Sequence, residues 1–177
     1  MNLEQTNILQ RCVSYLSRKG IVYVDTPFIV SQAVVRSTHE GESLTLTDGR
    51  CIQGSVEQGL LSVIDPDSLG CYMSFGPCAR IEETYDIYTK ECFYQLEVGS
   101  YAVGYSDIAE LIKNMYREVF SLGRLVFLED TEEGVDLMSP DLLELGSYGV
   151  RENGWNYGTG VAFPRVTQAR GLGLLVE

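Results

Sequence analysis

The chain has 177 residues, room for one domain of ordinary size, and 45% of them are hydrophobic, enough to build a core. Thirteen basic residues against 25 acidic ones leave a formal charge of −12, which argues against a broad phosphate-neutralising face and so against non-specific nucleic-acid binding. No apolar run approaches the roughly 18 residues of a membrane span, and the start MNLEQTNILQRC lacks a signal-peptide pattern, so a cytoplasmic protein without a membrane partner is expected.

The five cysteines, Cys12, Cys51, Cys71, Cys78 and Cys92, contain no CxxC and sit among apolar neighbours, which suits reduced, mostly buried thiols. With His39 as the single histidine, a multi-histidine zinc site or a Ser-His-Asp set has no parts to draw on. Any chemistry must lean on Arg, Glu, Gln and the backbone.

Leu9, Cys12, Val13 and Leu16 fall on one face and predict an amphipathic helix from about residue 4 to Arg18, stopped by Gly20. The β-branched run Ile21–Val24 reads as a strand ending at Thr26-Pro27. Leu44 to Thr47 reads as a short strand turning at Asp48-Gly49. A short helix is expected from Ser55 to Ile64, then a strand from Cys71 to Phe75 that Gly76-Pro77 bends.

From Glu91 to Val98 the residues alternate. Phe93, Gln95 and Glu97 share one face, and Cys92, Tyr94, Leu96 and Val98 the other, so one face is apolar and the other carries functional groups. Ser106 is placed to cap the next helix, with Asp107 in its first turn and a stripe of Ile108, Leu111, Ile112, Met115, Val119 and Phe120. Gly123 ends it, Leu125–Leu128 forms a strand, and EDTEEG reads as an acidic loop. Two further strands, Leu142–Val150 and Gly158–Phe163, join through Glu152-Asn153-Gly154. The order predicts an α+β domain whose antiparallel β-sheet of about six strands is flanked by helices.

Three stretches in order resemble the signature motifs of class II aminoacyl-tRNA synthetases, over nearly the whole chain. RKGIVYVDTPFIV is similar to the first motif, which in that family builds a dimer interface; the resemblance implies a homodimer with Tyr15, Leu16, Val22 and Phe28 as apolar surface. FGPCARIEETYDIYTKECFYQLEV is similar to the second motif of the aspartyl, asparaginyl, lysyl and pyrrolysyl branch. There the arginine (Arg80) binds the α-phosphate of ATP, the glutamate (Glu82) the adenine amino group, and the phenylalanine (Phe93) stacks on adenine. A planar guanidinium suits the charge that builds up when a carboxylate attacks phosphorus. The loop departs from the branch: Tyr88-Thr89 replaces its basic pair, and Cys92 its glutamate.

LLELGSYGVRENGWNYGTGVAFPRV joins two family elements. GTGVAFPR resembles the third motif, with Gly158 and Gly160 against adenine and Arg165 on the γ-phosphate. ELGSYGVR looks like the Glu-(x6)-Arg segment of aspartyl and asparaginyl enzymes and of ammonia-dependent asparagine synthetase. The resemblance gives Glu144 magnesium and Arg151 the side chain of aspartate or asparagine. STHEGES resembles the flexible loop whose glutamate (Glu40) meets the substrate ammonium; Gln95 and Glu97 occupy the branch's Gln and Asp places. Ser55, Val56 and Glu57 stand at its Ser-Pro-Gln, which implies that Glu57 joins Glu40 and Gln95 near the substrate ammonium, with Ser55 and Glu97 also substrate-binding, and Leu60 replaces its aspartate-binding lysine.

These residues imply a single class II synthetase-like core over 1–177, without an anticodon-binding domain, that uses ATP and Mg2+ to activate an aspartate- or asparagine-like amino acid. The charge and the altered loop imply a small-molecule or carrier acceptor and no stable tRNA complex. A non-catalytic paralogue that binds an amino acid or regulates a partner is the alternative. Tyr148 and Trp155 read as core or interface aromatics, and His39 as a surface-loop residue.

Overall fold

A computed structural model of the chain describes residues 1–38, 43–81, 84–120 and 126–171, with side chains as far as residue 169 in the last segment. His39, Glu40 and Glu82 lie outside the described residues, as does Gly123.

Helix α1 (Leu3–Arg18) begins in a capping box: the Asn2 side chain accepts from the Gln5 N–H at 2.9 Å, and the Gln5 side chain accepts from the Asn2 N–H at 2.9 Å. It ends where Gly20 takes φ +85°, a conformation a side chain disfavours. The chain then forms β1 (Val22–Tyr23), β2 (Ile29–Val30), α2 (Gln32–Arg36), β3 (Cys51–Ile52) and α3 (Val56–Leu61). Next come the long β4 (Cys71–Ala79) and β5 (Cys92–Ser100), followed by α4 (Tyr105–Val119). The remainder is β6 (Phe127–Asp130), β7 (Gly134–Met138), β8 (Glu144–Val150), β9 (Asn156–Phe163) and α5 (Arg165–Gly171).

Seven strands form one sheet in the order β1-β4-β5-β9-β8-β7-β6, with β2 and β3 as a separate pair. Every neighbouring pair in the large sheet is antiparallel except β1 with β4. The expected α+β architecture is therefore present. Helices α1 and α4 cover one face, burying Cys12, Leu16, Ile112 and Tyr116 against Leu96, Val98 and Val161 of the strands. The opposite face of β5 and β9 is left for the cleft, and α3 packs there against β4 and β5.

Several local expectations are corrected. Ser106 is not the cap of α4: the N-cap is Gly104, with no side-chain cap bond, and the Tyr105 N–H instead donates to Asn156 Oδ1 at 3.0 Å. A tertiary partner thus does the work of a local one. Gly76-Pro77 does not end the strand; β4 runs through to Ala79. The Pro77 carbonyl accepts from Gln53 Nε2 at 2.8 Å, so the edge of Pro77 that lacks an N–H faces away from β5, where no ladder bond is needed.

The acidic loop is shorter than expected: Glu129 and Asp130 end β6 and Gly134 starts β7, so only Thr131, Glu132 and Glu133 form the turn. Leu44–Thr47 contributes only an isolated bridge, Thr45 to Cys51. Tyr15 and Leu16 are buried, at 3% and 0% exposure, so they supply no interface surface, whereas Val22 and Phe28 are exposed. Trp155 and Tyr148 are buried core aromatics. Four cysteines are buried, Cys92 is exposed, and all five are free thiols.

Candidate functional site

A cavity of about 310 Å³ opens on the sheet face opposite α1 and α4. Its lining includes Arg80, Phe93, Glu144 and Arg165 together with Ser55, Glu57, Gln95, Glu97 and Arg151, so all of the expected site residues share one cleft apart from Gly158, Gly160 and the undescribed Glu40 and Glu82. Period-2 alternation explains the β5 contribution: Phe93, Gln95 and Glu97 face the cleft while Leu96 and Val98 enter the core. The register orders the rest. Ala79 pairs with Cys92 and Phe163 with Tyr94, which puts Arg80 and Arg165 near Phe93 at one end. Thr159 pairs with Glu97, which defines the other.

At the first end the Arg80 guanidinium lies 5.3 Å from the Phe93 ring centroid and its Nε donates to the Gly54 carbonyl. Arg165, the first residue of α5, donates from Nη1 to Glu144 Oε1 at 2.7 Å. A phosphate chain would compete with Glu144 for Arg165. Two arginines beside an aromatic ring suit an anionic nucleotide. Glu144 is 44% exposed at the same end, and magnesium takes one or two carboxylates and completes its shell with phosphate oxygens and water, so this donor set fits the ion. Lys90, from the β4–β5 connection, also lines the cleft, a basic group the motif comparison passed over because it follows Tyr88-Thr89.

The second end is closed and mostly self-paired. Arg151 donates from Nε to Glu57 Oε1 at 2.8 Å and from Nη2 to Glu57 Oε2 at 2.7 Å, and its guanidinium lies 3.9 Å from the Tyr157 ring centroid. Burial pushes the Glu57 carboxyl above the usual carboxylate range, and Arg151 opposes that shift. Ser55 is the N-cap of α3 and accepts from the Glu57 N–H at 3.2 Å, which aims Glu57 into the sheet. Gln95 is also committed: its Oε1 accepts from the Val56 N–H at 3.2 Å and its Nε2 donates to Thr159 Oγ1 at 3.3 Å. It fixes α3 to β5 and β9.

Glu97 is 2% exposed, and among the described residues its Oε2 has no hydrogen-bond partner. Burial pushes its carboxyl well above the usual range and the nearby Glu57 adds to this, while Arg80, Arg151 and a hydrogen bond with Thr159 pull down. Gly158 and Gly160 are outside the lining. A Cβ on Gly158 would lie 2.3 Å from the Tyr148 ring and 2.8 Å from Ile108 of α4, so packing on the core side requires glycine there, whereas one on Gly160 would meet Leu96 at 3.1 Å, a tight fit that a small shift relieves. Leu60 is buried with Trp155 and Tyr157 and offers the cleft no charge.

Sequence reasoning missed Tyr157, Thr159 and Lys90. Thr159 and Tyr157 were findable in principle, since they alternate with Gly158 on a strand whose other face is core.

No family model matches the sequence, and no curated protein sequence matches it. Solved structures do. A pyrrolysyl-tRNA synthetase from Desulfitobacterium hafniense superimposes with a TM-score of 0.71 at 19% identity, over 94% of this chain and 69% of that one. A second structure of pyrrolysyl-tRNA synthetase from that organism gives 0.70 at 20% identity, over 94% and 69%. The cytoplasmic serine-tRNA ligase of Naegleria fowleri, in complex with AMP, gives 0.64 at 15% identity, over 90% of this chain and 46% of that one. The fold is that of the class II aminoacyl-tRNA synthetases.

Proposed function

We propose that the cleft activates the α-carboxylate of an amino acid of the aspartate or asparagine type with ATP, forming an aminoacyl adenylate and releasing pyrophosphate. The observation that carries this reading is the convergence, in one cleft of a class II fold, of Arg80, Phe93 and Arg165 at one end and Glu57, Glu97 and Arg151 at the other. Phe93 offers a stacking surface to adenine, and Arg80 neutralises charge at the α-phosphate as the carboxylate oxygen adds and pyrophosphate leaves. Arg165 turns from Glu144 to the terminal phosphates. Magnesium, when bound at Glu144, supplies further charge neutralisation on those phosphates.

The acceptor in this reading is a small molecule or a carrier. A net charge of −12 opposes encounter with a polyanion, and Tyr88-Thr89 stands at the loop position where the branch has a basic pair. Gel-shift with total tRNA checks this: sub-micromolar, salt-sensitive binding, or charging of any tRNA, would overturn it. The reading also includes a cytoplasmic homodimer, for which exposed Val22, Tyr23, Phe28 and Ile29 provide apolar surface. Sedimentation as a monomer at tens of micromolar would remove it.

The decisive experiment is pyrophosphate–ATP exchange screened over all amino acids. Exchange with one or a few supports activation. Absence with every one favours a second reading, a non-catalytic amino-acid-binding or regulatory protein, which the internal pairing of Arg151 with Glu57 and of Arg165 with Glu144 also suits. Calorimetry separates the two by whether ATP with magnesium binds.

A further inference from the structure

We propose that the closed end of the cleft selects a ligand whose side chain brings hydrogen-bond donors, an amide or an amine, and rejects one that ends in a carboxylate, with Glu97 as the specificity-determining residue. The inference rests on the amino-acid-binding part of the reading above and narrows its substrate.

The cation that would receive a side-chain carboxylate is already occupied. Arg151 spends Nε and Nη2 on Glu57 at 2.8 and 2.7 Å, and Tyr157 stacks on the guanidinium plane. Glu57 is 2% exposed and cannot turn to water to release it. A carboxylate entering here would have to break a buried bidentate pair and leave Glu57 as an uncompensated buried anion. What remains open at this end is the opposite chemistry. Glu97, also 2% exposed, has a carboxyl oxygen with no partner among the described residues, on the cleft-facing side of β5. A buried acceptor without a partner is costly until a donor reaches it.

Charge points the same way. Glu57 lies close enough to raise the cost of ionising Glu97, and a further carboxylate entering here would add like charge beside Glu57. An amide fills the vacant acceptor without adding charge. An ammonium fills it and lets Glu97 ionise. Leu60, beside Tyr157 at this end, is fully buried in an apolar cluster and offers an entering carboxylate no cation.

The test is a near-isosteric ligand series, L-aspartate, L-asparagine and L-2,4-diaminobutyrate, titrated calorimetrically into the full chain with ATP binding measured separately. Asparagine and diaminobutyrate are expected to bind at least about tenfold more tightly than aspartate, because like-charge juxtaposition at a desolvated site is worth that much or more. In Glu97→Gln the preference for diaminobutyrate is expected to fall to about that of aspartate, since the neutral amide no longer pairs with an ammonium. Tightest binding of aspartate, or a ligand order unchanged in Glu97→Gln, would overturn the assignment while leaving activation intact. No binding of any of the three would also overturn it, and the ATP titration then tells whether the nucleotide reading survives.

Discussion

Arg151 and Glu57 are 94 positions apart in sequence and meet through two hydrogen bonds in a plane, with Glu57 almost wholly buried and Arg151 at 22% side-chain exposure. The pair ties the β8–β9 turn to the first turn of α3, across a sheet whose strands contribute neither residue. Removing one member leaves the other charged and buried. Arg151→Ala is therefore expected to cost about 3–5 kcal/mol in urea unfolding. The double replacement Arg151→Leu with Glu57→Leu should recover most of that loss; additive losses would show that the pair is not a unit.

Glu97 holds its proton to a higher pH in the folded chain than in the unfolded one, because of burial first and then of Glu57, against Arg80, Arg151 and Thr159. Between the ordinary carboxylate range and that raised value the folded state binds more protons, so stability falls as pH rises through this window. Glu97→Gln removes the slope. Its melting temperature is expected to exceed that of the parent by more at about pH 8 than at about pH 4.5. An equal offset at both would contradict the buried, proton-holding carboxyl.

Phe93→Ala removes the ring on which Arg80 rests and the proposed stacking surface for adenine. A loss of about 1–3 kcal/mol in ATP affinity is expected, with little change in amino-acid affinity. Equal losses for both ligands would place Phe93 between them rather than at the nucleotide end.

Cys92 is exposed, whereas burial pushes the Cys12 and Cys78 thiols up to about 12 and Cys71 to about 11. One thiol is expected to react rapidly with a disulfide reagent in the native protein and the other four only on unfolding. Two or more fast thiols would contradict the packing of α1, β3 or β4.

Gly99 lies under Trp155, where an added Cβ would come within 2.1 Å of the indole ring. Gly99→Ala is expected to cost about 1–3 kcal/mol, read as a lower denaturation midpoint with altered tryptophan fluorescence. An unchanged midpoint would show that Trp155 repacks freely.

The β5 face was legible because strict alternation separates Phe93, Gln95 and Glu97 from Leu96 and Val98 without any knowledge of the partner strands. Helices α1 and α4 were legible from their stripes, but the cap of α4 was not, since Asn156 does the capping from a distant strand. Strand β7 was hidden because Glu132 and Glu133 before it and Asp136 within it carry the composition of a loop; only the ladders to β6 and β8 make a strand of it. The motif comparison named residues that share one cleft but gave Arg151 and Glu57 separate ligand contacts. That they satisfy each other depends on a distance between α3 and β8, which no local pattern encodes. Gln95 likewise proves to hold elements together as much as it faces the cleft.

Pro77 and Gln53 bear on how the molecule survives in a crowded solution. Beyond its two-residue contact with β1, strand β4 would present a bare row of backbone groups to other chains. Instead the Gln53 side chain holds the Pro77 carbonyl, the Gln53 carbonyl accepts from the Ala79 N–H at 3.0 Å, and Pro77 itself offers no donor. A stray strand approaching that border finds its hydrogen-bonding register already broken. Pro77, which the local sequence marks as a bend, thus works with Gln53 to guard the margin of the sheet against edge-to-edge aggregation.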